Sequence, residues 1–555
     1  MRKLKTAGLF LLLVLGAMPL VADDQKPTTM DQVLDRILLK EQQQNGRMRE
    51  YAPLIETYIQ DLKPDSTLGT VPNGDKYFLG RADLAKGVEL VSLTETSGKG
   101  KKIFSTIGNF FSFAMQYLPD GFLQMIYIDN NGFDRQHYKF DYVRREFLGE
   151  VRCLVFDVTP LKDSGKGRFL GRIWVEDQDY NIVRFNGGYT GGGHQSFYFH
   201  FDSWRINVQP GLWLPSFVYS EESNLRYALN KRLQFKAQTR LWGYNLGRAG
   251  QEQELGKILI ESPAINDETK SANDLAPVQA QRAWDRQAEG NVADRLERIG
   301  LLAPRGDVDK VLETVVNNLE VTNNLEIEPE VRCRVLLTST LESFTLGHTI
   351  VLSRGLIDVL PDEASLATII AHELGHVVLG HRMDSQYAFF DRLLVDDKNT
   401  FRHFLFARDP SEETAASAKA IELLNKSPYK DQLGTSALFL QAIEQRHKEI
   451  PNLISPHLGD RIPANSILPS VSAAPADAKN PNQIVALPIG GRIKLDPWND
   501  QLEMIKSKPV GTVAEREKMP FEITPFMPYL VRYGSDKTPP PIAADTKPDE
   551  TKKPE

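Results

Sequence analysis

The stretch Ala371-His372-Glu373-Leu374-Gly375-His376-Val377-Val378-Leu379-Gly380-His381 restricts the fold more than any other part of the chain. It is apolar and helical in character, and Pro361-Asp362-Glu363 upstream supply the start signals of a helix. On a helix, residues four apart stand one turn apart on the same face, so His372 and His376 can point both imidazoles at one metal ion. Glu373, about 100° round the helix, can reach a water bound to that ion. The pattern reads as a site for one Zn2+ per chain. A hydrolytic zinc takes three protein ligands and leaves the fourth place to water, so the fold must bring one more ligand to this helix.

Two places can supply it. His381, on a straight helix, falls about 180° round from His372 and faces away from the ion, which makes it a packing residue or one that stands behind the ligands. The better source is a later helix, residues 411–424, where Glu412 and Glu413 precede Ala416 and Ala420. Small alanines let that helix pack closely against the first with a carboxylate aimed at the ion. A glutamate completes a two-histidine, one-glutamate set.

With 555 residues the chain divides into several units. Arg2, Lys3 and Lys5 precede an apolar run over residues 9–15 and then Pro19-Leu20-Val21-Ala22, the pattern of a signal peptide over residues 1–22. Leu20 is larger than the residue usual three before a cut, which keeps an uncleaved N-terminal anchor as the alternative. The expected address is the cell envelope, periplasmic or membrane-associated. A net charge of −7 without a long basic block gives no reason to expect nucleic-acid binding. Cys153 and Cys333 stand in separate apolar runs and read as two buried thiols.

The expected fold class is α+β and multidomain: an antiparallel, β-rich N-terminal domain, then a mainly helical zincin-type peptidase domain with a small edge sheet. Residues 23–63 carry helical spacing (Val33, Leu34, Ile37, Leu38, then Tyr51, Leu54, Ile55, Tyr58, Ile59) and predict one or two amphipathic helices. Residues 64–262 change to short β-branched and aromatic runs between turn residues, among them 122–128, 152–158, 169–176, 182–185, 196–201 and 233–242. Their alternation leaves one face strongly aromatic, and the N-terminal helix can cover it. "GRIWVEDQDYNIVRF" and "FDSWRINVQPGLWLPSFVY" resemble the curved sheets of the LolA-like lipoprotein-carrier fold. That resemblance implies a concave apolar face able to take a lipid chain or an apolar polypeptide; the alternative is that the aromatics are simply core. Gly187 to Gly193 lacks the lysine and helix of a phosphate loop and reads as a flexible turn. Residues 263–304 are expected as a helical connection, 305–465 as the peptidase domain, 466–482 as linker, 483–534 as a small C-terminal segment and 535–555 as a disordered tail.

Residues 307–462 resemble the zinc metallopeptidase family that includes the CAAX prenyl endopeptidase, HtpX and BepA, gluzincins with a downstream glutamate. "GHTIVLSRGLIDVL" before "DEASLATIIAHELGHVVLGH" matches the family's strand, turn and metal helix, with a histidine at the position of His381. "FLFARDPSEETAASAKAIELLNKSPY" matches its downstream helix. Registering on Ala416, Leu424 and Tyr429 puts the ligand glutamate on Glu413; a slightly longer preceding loop keeps Glu412 as the alternative. The family's aspartate four residues later is Ser417 here, which removes a charged acceptor behind the ligands. "SPHLGDRI" resembles the family's His-Pro motif that ends in Arg, with the histidine displaced from Ser455 to His457; His457 and Arg461 are candidates to face the site. The resemblance implies that His372, His376 and Glu413 hold zinc and that Glu373 is the base. It also implies that the strand 348–353 is the edge on which an extended peptide adds.

The function expected from these residues is an exported zinc metalloendopeptidase acting on unfolded or misassembled envelope proteins. The alternative is an envelope carrier or holdase module with a weak or regulatory protease domain. Residues 382–406, long and mixed in character, are expected as a lid between the metal helices. Oligomeric state and membrane association are left open by the sequence.

Overall fold

A computed structural model describes residues 29–65, 69–85, 89–93, 119–130, 132–190, 199–227, 231–244, 277–381, 408–455 and 457–462, with 27, 406, 493–496, 501–504, 523 and 528–534. The signal peptide, the linker 466–482, the tail and nearly all of the expected lid lie outside them.

Helix α1 (Met30–Met48) starts at a capping box in which Thr29 Oγ1 accepts from Gln32 N at 3.3 Å. Strands β1 (Leu54–Asp65), β2 (Gly69–Asp83) and β3 (Glu89–Ser92) follow, then the short helix α2 (Pro119–Gln124). Next come β4 (Tyr138–Leu148), β5 (Val151–Pro160), β6 (Phe169–Glu176), β7 (Ile182–Tyr189), β8 (Phe201–Gln209), β9 (Leu212–Tyr227) and β10 (Lys231–Trp242). Together they form one ten-stranded sheet in the order β3-β2-β1-β10-β9-β8-β7-β6-β5-β4, antiparallel throughout.

Several expectations are corrected. The second half of the expected N-terminal helical segment is β1, and Phe122 and Leu123 belong to α2 rather than to a strand. In β1, Leu54 and Tyr58 enter one core while Ile55 and Ile59 enter the other. Apolar residues four apart on each face of a doubly buried strand reproduce the spacing of a helix face. The expected glycine turn also begins inside a strand: Gly187 lies in β7 opposite Gly171, and a Cβ on Gly187 would stand 2.2 Å from Leu170 O. The strands approach too closely there for a side chain.

The aromatic face is filled by the protein itself. Phe169, Phe185, Phe199, Phe201 and Phe235 are fully or almost fully buried with Phe122 of α2 and with Leu34, Ile37 and Met48 of α1. Each such side chain contributes on the order of 1.5–3 kcal/mol. Inside this layer Arg205 of β8 makes a bidentate pair with Glu41 of α1, at 2.6 and 2.8 Å, both 1% exposed. The helix therefore covers the aromatic face, and the aromatics are core.

The opposite face continues into a second unit. This unit comprises α3 (Pro277–Arg298), α4 (Asp307–Asn323), β11 (Arg332–Leu336), β12 (Glu342–Leu346), β13 (Thr349–Ser353), α5 (Arg354–Val359) and α6 (Glu363–Leu379). After it come α7 (Pro410–Asn425), α8 (Leu433–Arg446), α9 (Pro451–Ile454) and β14 (Asp460–Arg461). Its mixed sheet runs β11-β13-β12-β14, with β11 parallel to β13. Helix α3 is part of this core through Ala288, Val292 and Leu296, rather than a bare connection. Tyr58 and Trp242 of the large sheet share the same core, and Trp242 Nε1 donates to Gly300 O at 2.9 Å. Asp75 of β2 caps α9 by accepting from Asn452 N at 3.0 Å and Leu453 N at 2.8 Å.

Strands β15 (Ile493–Asp496) and β16 (Gln501–Met504) form a hairpin. The last described residues return to the large sheet: Leu530 O accepts from Glu150 N at 2.9 Å, and Arg532 pairs with Glu176 at 2.8 Å. Cys153 and Cys333 are both free and buried, and burial pushes the Cys153 thiol up to about 12. Among the described residues no helix is long and apolar enough to cross a membrane.

Candidate metal centre

Helix α6 is capped by Asp362, whose side chain accepts from Ser365 N at 2.8 Å, and it ends at Gly380 with φ +69°. It crosses α7 at very short range. A Cβ on Gly375 would stand 2.7 Å from Ala416 O, and Ala416 and Ala420 are fully buried. The small residues let the first turn of α7 deliver Glu413 to the histidines.

His372, His376 and Glu413 form a group that can hold a metal ion. The two Nε2 atoms are 3.2 Å apart. The Glu413 carboxylate straddles them, Oε2 at 3.2 Å from His372 Nε2 and Oε1 at 3.1 Å from His376 Nε2. Ligand atoms at zinc bond lengths of about 2.0–2.1 Å in a tetrahedron stand about 3.3–3.4 Å apart, so the separations and the N, N, O donor set fit that ion. Glu413 Oε1 is buried and its approach to His376 lacks hydrogen-bond geometry, as expected of an oxygen meant for a cation. Burial would raise the Glu413 carboxyl, but the hydrogen bond from His372 and the closeness of both histidines outweigh it and bring it down to about 2. Glu412 is outside this group.

The far nitrogens of both rings have partners. His376 Nδ1 is 2.8 Å from His381 Nδ1, and His372 Nδ1 is 3.4 Å from the buried Ser417 Oγ. His381 therefore stands behind His376, and burial, then the charge of His376, lowers its pKa. Such contacts fix the tautomer and the ring orientation of a ligating histidine.

Glu373, 2% exposed, leans toward β12. Ser343 Oγ donates to its Oε1 at 2.6 Å and Thr345 Oγ1 to its Oε2 at 2.6 Å. Sequence reasoning passed over both residues, although the alternation in Glu342-Ser343-Phe344-Thr345-Leu346 is itself a strand signal. The same strand corrects the expected substrate edge: β13, within the expected edge 348–353, is internal between β11 and β12. Both β12 and β13 pack on α6, β12 the more closely, and β14 pairs with β12 only at Glu342 and Ser343. Arg408 Nη2 donates to Thr345 O at 3.0 Å, and Phe406 stacks on Phe344 at 4.6 Å.

Among the described residues, His457 does not join the metal group. The Glu342 carboxylate accepts the backbone N–H groups of His457, Leu458 and Gly459, at 3.0, 2.9 and 3.2 Å, and pulls this loop onto β12. The His457 ring consequently stacks on Tyr77 of the large sheet at 4.6 Å. Arg461 pairs through its backbone with Glu342, and its side chain lies outside the described residues.

Residues 305–404 match the model of peptidase family M48. The match spans less than a fifth of the chain. The match includes His372, Glu373 and His376 and ends before Glu413, so the third member of the metal group comes from beyond the matched residues. It supports a metallopeptidase. No curated protein matches the chain. The solved structures similar to it include a LolA superfamily protein from Nitrosomonas europaea, 12% identical over 39% of this chain and 93% of that one, with a TM-score of 0.22. Another is a DUF1329 family protein from Desulfovibrio piger, 11% identical over 40% of this chain and 95% of that one, with a TM-score of 0.21.

Proposed function

We propose that the chain is an exported zinc-dependent metalloendopeptidase that hydrolyses peptide bonds of unfolded or misassembled envelope proteins. The observation that carries the reading is the convergence of His372, His376 and Glu413 beside Glu373, next to and within the M48 match. In it, His372 and His376 hold one zinc through Nε2 and Glu413 through its carboxylate. Bound there, zinc would polarise the scissile carbonyl and bring the pKa of a coordinated water toward neutrality. Glu373 accepts the proton of the attacking water and delivers it to the nitrogen of the leaving amine. His381 and Ser417 orient the two imidazoles.

The signal-peptide pattern of residues 1–22 supports export. The filled aromatic face favours a protease over an open carrier, because Phe122, Phe199 and Phe235 already occupy the place an apolar cargo would take. The test is Glu373→Gln in the full chain. It is expected to retain one zinc per chain while losing cleavage of an unfolded substrate such as casein; a variant that digests casein at the wild-type rate would sink the mechanism.

A further inference from the structure

We infer that Ser343 and Thr345 are positioning residues for Glu373, so that the strand beside the metal helix also aims the base; this rests on the metallopeptidase reading above. Residues two apart on a strand face the same side, about 6.6–6.8 Å apart along it. Ser343 and Thr345 use that spacing to bracket one carboxylate, one hydroxyl on each oxygen at 2.6 Å. Both lie at the short end of O–H···O hydrogen bonds. All three side chains are 1–2% exposed, so no water competes for these contacts.

The strand itself is held on every side. Phe344 turns the opposite way and stacks on Phe406. Thr345 O accepts from Arg408, and Glu342 is fixed by the backbone of residues 457–459. A carboxylate can accept about four hydrogen bonds. Two are taken from the strand side, one on each oxygen, which leaves each oxygen able to accept another.

The alternative is that the hydroxyls only satisfy a buried charge. Thr345→Val keeps the volume and removes the hydroxyl, whereas Thr345→Ser keeps the hydroxyl and removes a methyl group. In the full chain, Ser343→Ala/Thr345→Val is expected to keep one zinc and a KM within about threefold while kcat falls about 100-fold, the scale of a reacting group misplaced by about 1 Å. Thr345→Ser is expected to keep most of kcat. In the metal-free protein, the carboxylate infrared bands that disappear in Glu373→Gln should shift in the double variant and stay in place in Thr345→Ser. Should the double variant not fold, Thr345→Val against Thr345→Ser carries the same comparison. Equal kcat in those two, or unmoved bands, overturns the inference. A wild-type chain that binds no zinc and cleaves nothing fails the metallopeptidase reading instead, and the infrared comparison still decides whether the hydroxyls hold Glu373.

Discussion

Glu56 in β1 and Ser339 in the turn before β12 share two hydrogen bonds, Ser339 N to Oε1 at 2.6 Å and Ser339 Oγ to Oε2 at 2.7 Å. Arg240 of β10 adds a third contact, Nη1 to Glu56 Oε2 at 2.9 Å, and reaches Leu337 O at 3.2 Å. Glu56 is 1% and Arg240 7% exposed. Burial, then the nearby charge of Arg354, brings the Arg240 pKa down to about 10 against the opposing pull of Glu56. The large sheet is thus joined to the second unit by a desolvated ion pair that holds Ser339, three residues before the start of β12.

Glu56→Ala leaves Arg240 buried without its carboxylate. The expected loss is about 3–5 kcal/mol, read by urea unfolding. Glu56→Leu/Arg240→Met, which removes both charges, is expected to cost much less. A Glu56→Ala loss below about 1 kcal/mol would show that water reaches the junction.

Gly375→Ala tests the approach of α6 to α7. The added Cβ meets backbone, Ala416 O at 2.7 Å, so the helices must part. Since Glu413 rides on α7, zinc binding is expected to weaken well before the protein unfolds. Isothermal titration with zinc checks this, and an unchanged Kd contradicts it.

Ser417→Asp puts a charged acceptor behind His372, whose Nδ1 is 3.4 Å from Ser417 Oγ in the present chain. Such partners are worth about 10–100-fold in metal affinity. The variant is expected to bind zinc more tightly by a factor in that range, measured by chelator competition; weaker binding would mean that the serine is the better fit.

Glu176 ties the C-terminal segment to the large sheet. It accepts from Asn181 N and Gln178 N at 3.0 Å each and from Arg532 at 2.8 Å. Burial pushes its carboxyl up, yet the Asn181 backbone and Arg532 prevail and hold it below the ordinary value of 4.5. A depressed carboxyl stabilises the fold above its unfolded value, and that contribution is lost as pH falls through the folded one. Unfolding free energy should therefore fall with acid below about pH 4.5, more steeply in the wild type than in Glu176→Gln. Parallel curves would remove Glu176 from the acid response.

The helices of the metal centre were legible because the start signal at Asp362 and the period along α6 agree, whereas the end at Gly380, which takes His381 off the helix and onto His376, was not read. Ala416 and Ala420 likewise announced a helix that packs closely. What stayed hidden depended on contacts remote in sequence. β1 is buried on both faces, so Leu54, Ile55, Tyr58 and Ile59 imitate a helix. The strand order that puts β13 inside and β12 against the metal helix is set by pairing, which no local pattern records. Glu342, a charged residue in a five-residue strand, is fully buried with three backbone N–H groups from residues 457–459 on one carboxylate oxygen and the Thr338 and Thr340 hydroxyls on the other.

The shared core of Tyr58 and Trp242 with Leu301 and Leu302 has a consequence for any attempt at excision. A fragment confined to residues 305–404 would lack Glu413 altogether, and one extended to residue 462 would still present to water the surface that the large sheet now covers. The smallest autonomous catalytic piece of this polypeptide therefore starts far upstream of its recognisable peptidase signature, and shortened versions should be sticky rather than merely slow.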